Sequence, residues 1–137
     1  FCTRRADMKH KGPTRHALIK DLAKVATMLK TKIPSMGSPC ALLSVFEGNA
    51  MAAEHCAKGC HTKVLGQLAK LGDIPRCTGT DLRRVMNAAL MELDAELRTA
   101  MPGLEGCGAV VALLSGQTLC VGVAGHCSAT LCGSDPG

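Results

Sequence analysis

Two histidines and two cysteines lie close together in the chain and have side chains of the types that bind zinc. They are His55, Cys56, Cys60 and His61. Cys56 and Cys60 are four positions apart and therefore share one helix face, and structural zinc sites use four such ligands. That face continues through apolar residues, however, and both histidines lie off it. We therefore predict that the cysteines belong to the core, with a zinc site as the alternative.

His126 and Cys127 place an imidazole beside a thiol, a pair found in enzymes with a cysteine nucleophile. Neighbouring residues of a strand point to opposite faces, so these side chains should diverge. No Cys-x5-Arg loop of the kind that binds phosphate follows. The pattern does not predict a catalytic thiol.

The elements that position these residues begin with an amphipathic helix. Thr14 is a suitable N-cap, and apolar residues recur at steps of four and three as far as Ile33. Residues 34–39 read as a loop. The mostly apolar residues 40–46 are typical of a buried strand, and residues 47–49 form a turn.

Two long helices and a hairpin are predicted next. The first helix ends at Gly72; the second begins at Thr80, with Asp81 favoured in its first turn, and ends at Pro102. The apolar stripe of the first contains Ala53, Cys56, Ala57, Cys60, Val64, Leu68 and Leu71.

The last part of the chain has the pattern of β-structure. Residues 107–115 and 118–124 are apolar runs, and Gly116-Gln117 between them suits a type II′ turn. Residues 127–132 are a third candidate strand. Helices followed by a hairpin predict an α+β fold, with a mainly antiparallel sheet flanked by the two long helices and preceded by the N-terminal amphipathic helix.

Basic residues are concentrated at the start of the chain. Residues 1–33 hold nine Lys and Arg against two acids, whereas the remaining residues have a net charge of −2. This segment predicts attraction to an acidic partner, a nucleic acid or an anionic surface, with a solvated basic face as the alternative. Nucleic-acid binding would rely on phosphate contacts, because aromatic side chains for stacking are nearly absent. The candidate patch contains Arg4, Arg5, Lys9, Lys11, Arg15, Lys20 and Lys24.

The nine cysteines are odd in number and lie mostly in apolar runs. They predict reduced thiols in a reducing, intracellular compartment rather than a disulfide framework. No apolar run reaches the roughly 18 residues of a membrane-spanning helix. The 137 residues suit one domain. We divide the chain into residues 1–39, a basic tail, helix and loop, and residues 40–137.

Three stretches, in order, resemble the metal-dependent Ser/Thr protein phosphatases (the PPM family, type 2C). Residues 43–56 are similar to the family's strand, its Asp-Gly-His-Gly-Gly turn and the helix that carries Ala-Ala-Glu. Residues 88–97 resemble its helix ending in Leu/Thr-Asp-x-Glu. Residues 106–114 and 119–129 resemble its Gly-Ser-Thr-Ala hairpin and Val-Gly-Asp-Ser-Arg-Ala motif. The resemblance implies an α/β/β/α sandwich, of which residues 40–137 would be the N-terminal half.

The resemblance also implies where metal ligands would lie. In the family, the turn Asp binds two metal ions that hold the attacking water, and the next Gly offers its carbonyl. Glu47 stands at that Asp position, Gly48 at the carbonyl position and Asn49 at the His position. The Asp of the later Gly-Asp-Ser motif is replaced by His126, whose imidazole suits Zn or Cu better than Mg or Mn.

The changed ligands predict a non-catalytic, pseudophosphatase-like module with no metal cofactor, acting as a binding or structural part of a larger protein or assembly. One alternative is a partial view of an active phosphatase that would use Mg or Mn at Glu47 and Gly48. The other is a basic adaptor that binds an acidic partner through residues 1–33. Arg15 and Asp21 are loose candidates for the family's early Arg and acid, on a predicted helix.

Overall fold

The structure, a computed structural model, describes residues 14–133. The chain forms β1 (Thr14–Ile19), α1 (Leu22–Met28), β2 (Cys40–Gly48), α2 (Ala50–Ala69), α3 (Gly79–Ala100), β3 (Cys107–Ser115) and β4 (Thr118–Ala124). The strands make one antiparallel sheet in the order β1-β2-β3-β4. The predicted α+β class, with two long helices flanking an antiparallel sheet, is confirmed.

One face of the sheet, the covered face, packs against both long helices. Helix α2 contacts β1 and β2, while α3 contacts β3 and β4. Alternate residues of the two central strands fill the interface, and Phe46, Val111 and Leu113 are fully buried there. A Cβ added to Gly122 would lie 2.6 Å from Met86 Cγ. Glycine at this position therefore lets α3 approach β4 closely.

The opposite face, the open face, has no helix of residues 14–133 packed on it, although most of its side chains are apolar; Thr14, His16 and Glu47 are the polar ones. The strand register places these residues in adjacent rows. Val45, Val121 and Val123 are each about two-fifths exposed and Leu18 is half exposed. The ten apolar residues of the open face are Leu18, Ala41, Leu43, Val45, Val110, Ala112, Leu114, Leu119, Val121 and Val123.

The predicted N-terminal helix is wrong over its first turns. Thr14–Ile19 is strand β1, and the helix is confined to Leu22–Met28, where Asp21 rather than Thr14 caps it. The backbone of β1 completes the hydrogen bonds of one side of β2, and this pairing outweighs the helical spacing of the apolar residues. Leu22 and Ala26 remain the buried helical positions.

Three other expectations need correction or refinement. Helix α3 is capped by Thr78, not Thr80, and Asp81 completes a capping box by accepting a hydrogen bond from the Thr78 N–H at 2.9 Å. Residues 127–132 are not a strand. The described residues also contain one sheet rather than two, so they supply a single β-layer of the implied sandwich. The two-residue turn at Gly116-Gln117 is confirmed, with φ of 59° at Gly116.

The solvent side of the helix pair carries ion pairs. Lys63 of α2 contacts both Glu92 and Glu96 of α3, and His55 Nε2 lies 3.0 Å from Glu96 Oε1. The hydrogen bond from Lys63 holds the pKa of the Glu96 carboxyl below its usual value. Such partly exposed pairs contribute little to stability. Within residues 14–133, no helix combines the length and the apolar character needed to cross a bilayer.

Phe46 should be the most sensitive single position of the core. Its ring is fully buried and is the only aromatic side chain among residues 14–133. We expect Phe46→Ala to lower the free energy of unfolding by about 3–5 kcal/mol, because it leaves a cavity between sheet and helices. Val45→Ala on the open face is the control and should cost far less. Urea denaturation of both variants checks this; equal losses would contradict the assignment of the two faces.

Candidate functional site

The residues singled out at the Glu47 turn and at His126 come together at one end of the sheet. Glu47 lies opposite Gly108 in the β2–β3 register, and β4 ends beside them. The groove at this end has a volume of about 380 Å³ and contains both Glu47 and His126. Its lining consists of Glu47, Gly106, Cys107, Gly108, Gly125, His126 and Cys127.

Glu47 stands at the rim of the open face. Its position in the alternation of β2 places it on the same side as Val45 and Leu43, and its side chain is exposed. The sheet therefore presents this carboxylate to solvent at the end of the apolar rows.

Gly48 joins β2 to α2 in a backbone conformation that requires glycine. Its φ is +145°, and an added Cβ would lie 2.8 Å from the carbonyl oxygen of Gly106. A side chain at Gly48 would therefore collide with the backbone that leads into β3. This requirement is structural and accounts for Gly48 whether or not its carbonyl has a ligand.

Asn49 is used as the N-cap of α2. Its Oδ1 accepts hydrogen bonds from Met51 N at 3.0 Å and from Ala52 N at 3.3 Å. These bonds satisfy two of the helix's unpaired donors. Asn49, which stands at the position of the family's His, therefore uses its side-chain oxygen to cap α2.

Cys127 closes the groove over β3. A Cβ on Gly108 would lie 2.5 Å from Cys127 Sγ, so the thiol occupies the space that a larger residue at Gly108 would need. Sequence reasoning missed this contact, because residues 127–132 were expected to continue the sheet. The available signal was the pair of glycines around the start of β3, Gly106 before the strand and Gly108 within it.

The remaining acids near the helices are paired elsewhere. Glu54 Oε2 accepts a hydrogen bond from Arg15 Nε at 2.7 Å, and Lys58 binds its other oxygen at 3.0 Å. Bonds from Lys58 and Arg15 lower the pKa of the Glu54 carboxyl. On α3, Asp94 pairs with Arg98 at 2.8 Å, and Glu92 and Glu96 pair with Lys63 of α2. None of these acids lines the groove at Glu47.

Arg15 and Asp21 lie at opposite ends of β1. Arg15 is on a strand, not on the expected helix, and it faces α2 close to the Glu47 end. Asp21 follows the other end of β1 and accepts a hydrogen bond from Lys24 N at 3.0 Å. Because β1 separates it from Glu47 by its full length, Asp21 cannot join Glu47 in one site.

The basic patch is only partly within the described residues. Arg4, Arg5, Lys9 and Lys11 lie outside them. Arg15 is bound to Glu54 at one end of β1, whereas Lys20 and Lys24 lie at the other end. Lys20 borders a larger cavity of about 580 Å³ formed around α1 and the loop before β2.

The cysteines of α2 are core residues, as predicted. Cys56 is 3% exposed and Cys60 is 2% exposed, and burial raises the pKa of the Cys60 thiol to about 12. His55 binds Glu96 instead of facing them. Within residues 14–133, no three His, Cys, Asp or Glu side chains converge as metal ligands.

The residues present at the groove do not fit a pair of hard divalent cations. Such ions need several oxygen donors around them, and among the groove residues only Glu47 carries a carboxylate. Asn49 is committed to the helix end, and His126 offers nitrogen. No step of a metal-dependent reaction can be assigned to this donor set.

Comparison with known families identifies the family of this chain. The family model described as Protein phosphatase 2C matches residues 6–137 of the chain. No curated protein and no solved structure matches the chain at a significant level. The matched range includes all three stretches that carry the resemblance, as well as β1 and α1.

The capping role of Asn49 is open to a direct test. We expect Asn49→Ala to lower the free energy of unfolding by about 1 kcal/mol, because two N–H groups of α2 lose their acceptor. Asn49→Asp should retain most of the stability, since a carboxylate also accepts these bonds. Urea denaturation measures both. A loss equal in the two variants would show that the amide serves some other contact.

Proposed function

Because this chain belongs to the protein phosphatase 2C family, we propose that it is a phosphatase-like module that binds a protein partner and performs no catalysis. The family relation rests on the match over residues 6–137. The binding role rests on one observation, the open face of the sheet. The loss of oxygen ligands supports the absence of catalysis.

The donor set at Glu47 argues against hydrolysis by these residues. Glu47 has a side chain one methylene longer than the family's Asp, which displaces its carboxylate. His126 replaces an oxygen ligand, and Glu54, Glu92, Glu96 and Asp94 are held in ion pairs with Arg15, Lys58, Lys63 and Arg98. Without converging carboxylates among residues 14–133, the groove has no metal site to lower the pKa of a water molecule.

The open face is suited to burial against another protein layer. Ten apolar side chains on four strands form a continuous surface, with Glu47 at its rim and His16 on the edge strand β1 as the ionisable residues of the same face. Contiguous exposed apolar surfaces on a protein mark sites of interaction. A fully exposed Val or Leu side chain gains about 1.5–3 kcal/mol on complete burial, and the partly exposed Val and Leu of this face would each gain a fraction of that. Burial of this face would therefore stabilise a complex substantially.

The shape and chemistry of the open face favour an apolar β-sheet as the partner's surface. Two sheets pack face to face about 10 Å apart when their inward side chains interdigitate. The rows of Val, Leu and Ala supply such side chains, and charge is found only at the rim, at Glu47. An acidic or phosphorylated surface would find no counter-charge here.

An active phosphatase and a basic adaptor are the two alternative functions. An active phosphatase would need further carboxylates beside Glu47 and then Mg or Mn as cofactor. A basic adaptor would use residues 1–33, of which Arg15 already binds Glu54.

An activity assay tests the non-catalytic role. The purified chain with millimolar Mn²⁺ or Mg²⁺ and a phosphopeptide should release no more phosphate than the Glu47→Ala variant, because one carboxylate cannot hold two cations. Phosphate release is measured under identical conditions for both proteins. Clear turnover by the wild type that disappears in Glu47→Ala would establish the active alternative.

Charged substitutions on the open face test the binding role. Val45→Lys with Val121→Lys should strongly reduce capture of the partner by the tagged chain, because two charges would be buried at the interface. The matched control is Met51→Lys with Met91→Lys, which charges exposed apolar positions on α2 and α3.

Capture is quantified by mass spectrometry after confirming that both variants are folded by circular dichroism. Proteins lost with the open-face variant but kept with the control support the proposal. Capture that is unaffected by the open-face charges, or reduced equally by the control, would contradict it.

A further inference from the structure

We propose that Cys56 and Cys107 form a disulfide bond when the protein is oxidised by a peroxide. This modification would link helix α2 to strand β3. The Cys107 thiol donates a hydrogen bond to Cys56 Sγ, with the two sulfur atoms 3.7 Å apart. A disulfide holds its sulfur atoms about 2.0 Å apart, so bond formation requires a shift of less than about 2 Å.

The layers of the fold direct Cys107 toward Cys56. Cys107 is the first residue of β3 and pairs with Gly48 on the covered face, where α2 lies. Cys127 lies over Gly108, on the open face. Adjacent residues of a strand point to opposite sides, so the chain separates Cys107 from Cys127 even though both line the same groove.

The pair also differs from the other thiols of the structure. Eight cysteines are present among the described residues, all in the thiol form. Within residues 14–133, Cys56 and Cys107 form the one thiol–thiol hydrogen bond. Cys60, one turn along α2, is buried to the same degree as Cys56 but makes no such bond to a described thiol.

Access to oxidant is unequal for the two sulfurs. Cys56 is 3% exposed, whereas Cys107 is half-buried and borders the groove at Glu47. A peroxide can therefore reach Cys107 first. Cys56, whose sulfur lies 3.7 Å away, is then the thiol in hydrogen-bond contact with the oxidised sulfur.

The chemistry proceeds in two balanced steps. Cys107 Sγ takes one oxygen from hydrogen peroxide as the O–O bond breaks, which yields a sulfenic acid and water. The Cys56 sulfur then attacks Cys107 Sγ; the S–S bond forms, the S–O bond breaks, and the leaving hydroxide takes the Cys56 proton as water. Both sulfurs are oxidised and the peroxide is reduced.

The reaction should be slow, because burial raises the pKa of both thiols and the thiolate is the reactive form. Prolonged exposure to peroxide, rather than a brief pulse, would form the disulfide. In the reducing compartment that the cysteine pattern predicts, the pair would otherwise remain as thiols. The product would fasten the N-terminal half of α2 to the strand beside Gly48.

Peptide mapping of the full chain tests this site. After treatment with hydrogen peroxide and alkylation of the remaining thiols, protease digestion should release one peptide pair joined through Cys56 and Cys107, which separates on reduction. Its rate of formation should rise about tenfold per pH unit below the thiol pKa. Oxidation should also raise the Tm, since the bond restricts the unfolded chain.

Matched variants isolate the pair. Cys56→Ala and Cys107→Ala should each abolish the increase in Tm on oxidation, whereas Cys60→Ala, on the same helix, and Cys120→Ala, half-buried on the covered face, should retain it. If a variant fails to fold, the peptide map of the oxidised wild-type protein still shows whether Cys56 and Cys107 are joined. A map in which Cys107 is joined mainly to Cys127, or in which both thiols survive while other cysteines are oxidised, would overturn the proposal.

Discussion

The structure depends on close contact between two helices and one face of a sheet, made with small side chains. With Phe46 as the single aromatic residue of the described core, burial must come from Ala, Cys, Val and Leu packed at short range. At Gly122, beneath Met86, the contact leaves no room even for a Cβ. The same short separation lets Arg15 reach Glu54 and brings Cys107 against Cys56. The ion pair and the thiol pair are thus consequences of how closely the layers approach.

Much of this architecture could be predicted from the sequence. The apolar stripes of α2 and α3 identify both helices and their buried residues, and Gly116-Gln117 identifies the hairpin. These signals are strong because one local period covers many residues. The first strand was missed because apolar residues at steps of three and four over residues 18–29 favoured a helix. A strand of six residues at a sheet edge is determined by its neighbour β2, and such pairing has no local signature.

The candidate site was predicted in part. The resemblance singled out the Glu47 turn and His126, two positions far apart in sequence, and the structure places both in one groove. It could not indicate that Asn49 caps α2, that Glu54 is held by Arg15, or that Cys127 lies over Gly108, because these depend on three-dimensional neighbours. The apolar character of both faces of β2 was visible, and it predicted a strand covered on both sides. Only one of those sides is covered by residues 14–133.

The position of α2 and α3 between β2 and β3 determines how the sheet can assemble. Gly48 and Cys107 are neighbours across the ladder but lie about 60 residues apart along the chain, a loop whose closure costs entropy before any cross-strand contact is gained. The hairpin of α2 and α3 forms contacts between residues that are closer in sequence, and its formation shortens the effective length of that loop. This connectivity favours a folding order in which the two helices dock first and the central strands then pair. Substitutions in the α2–α3 interface should slow folding, while those at the outer strands should mainly accelerate unfolding.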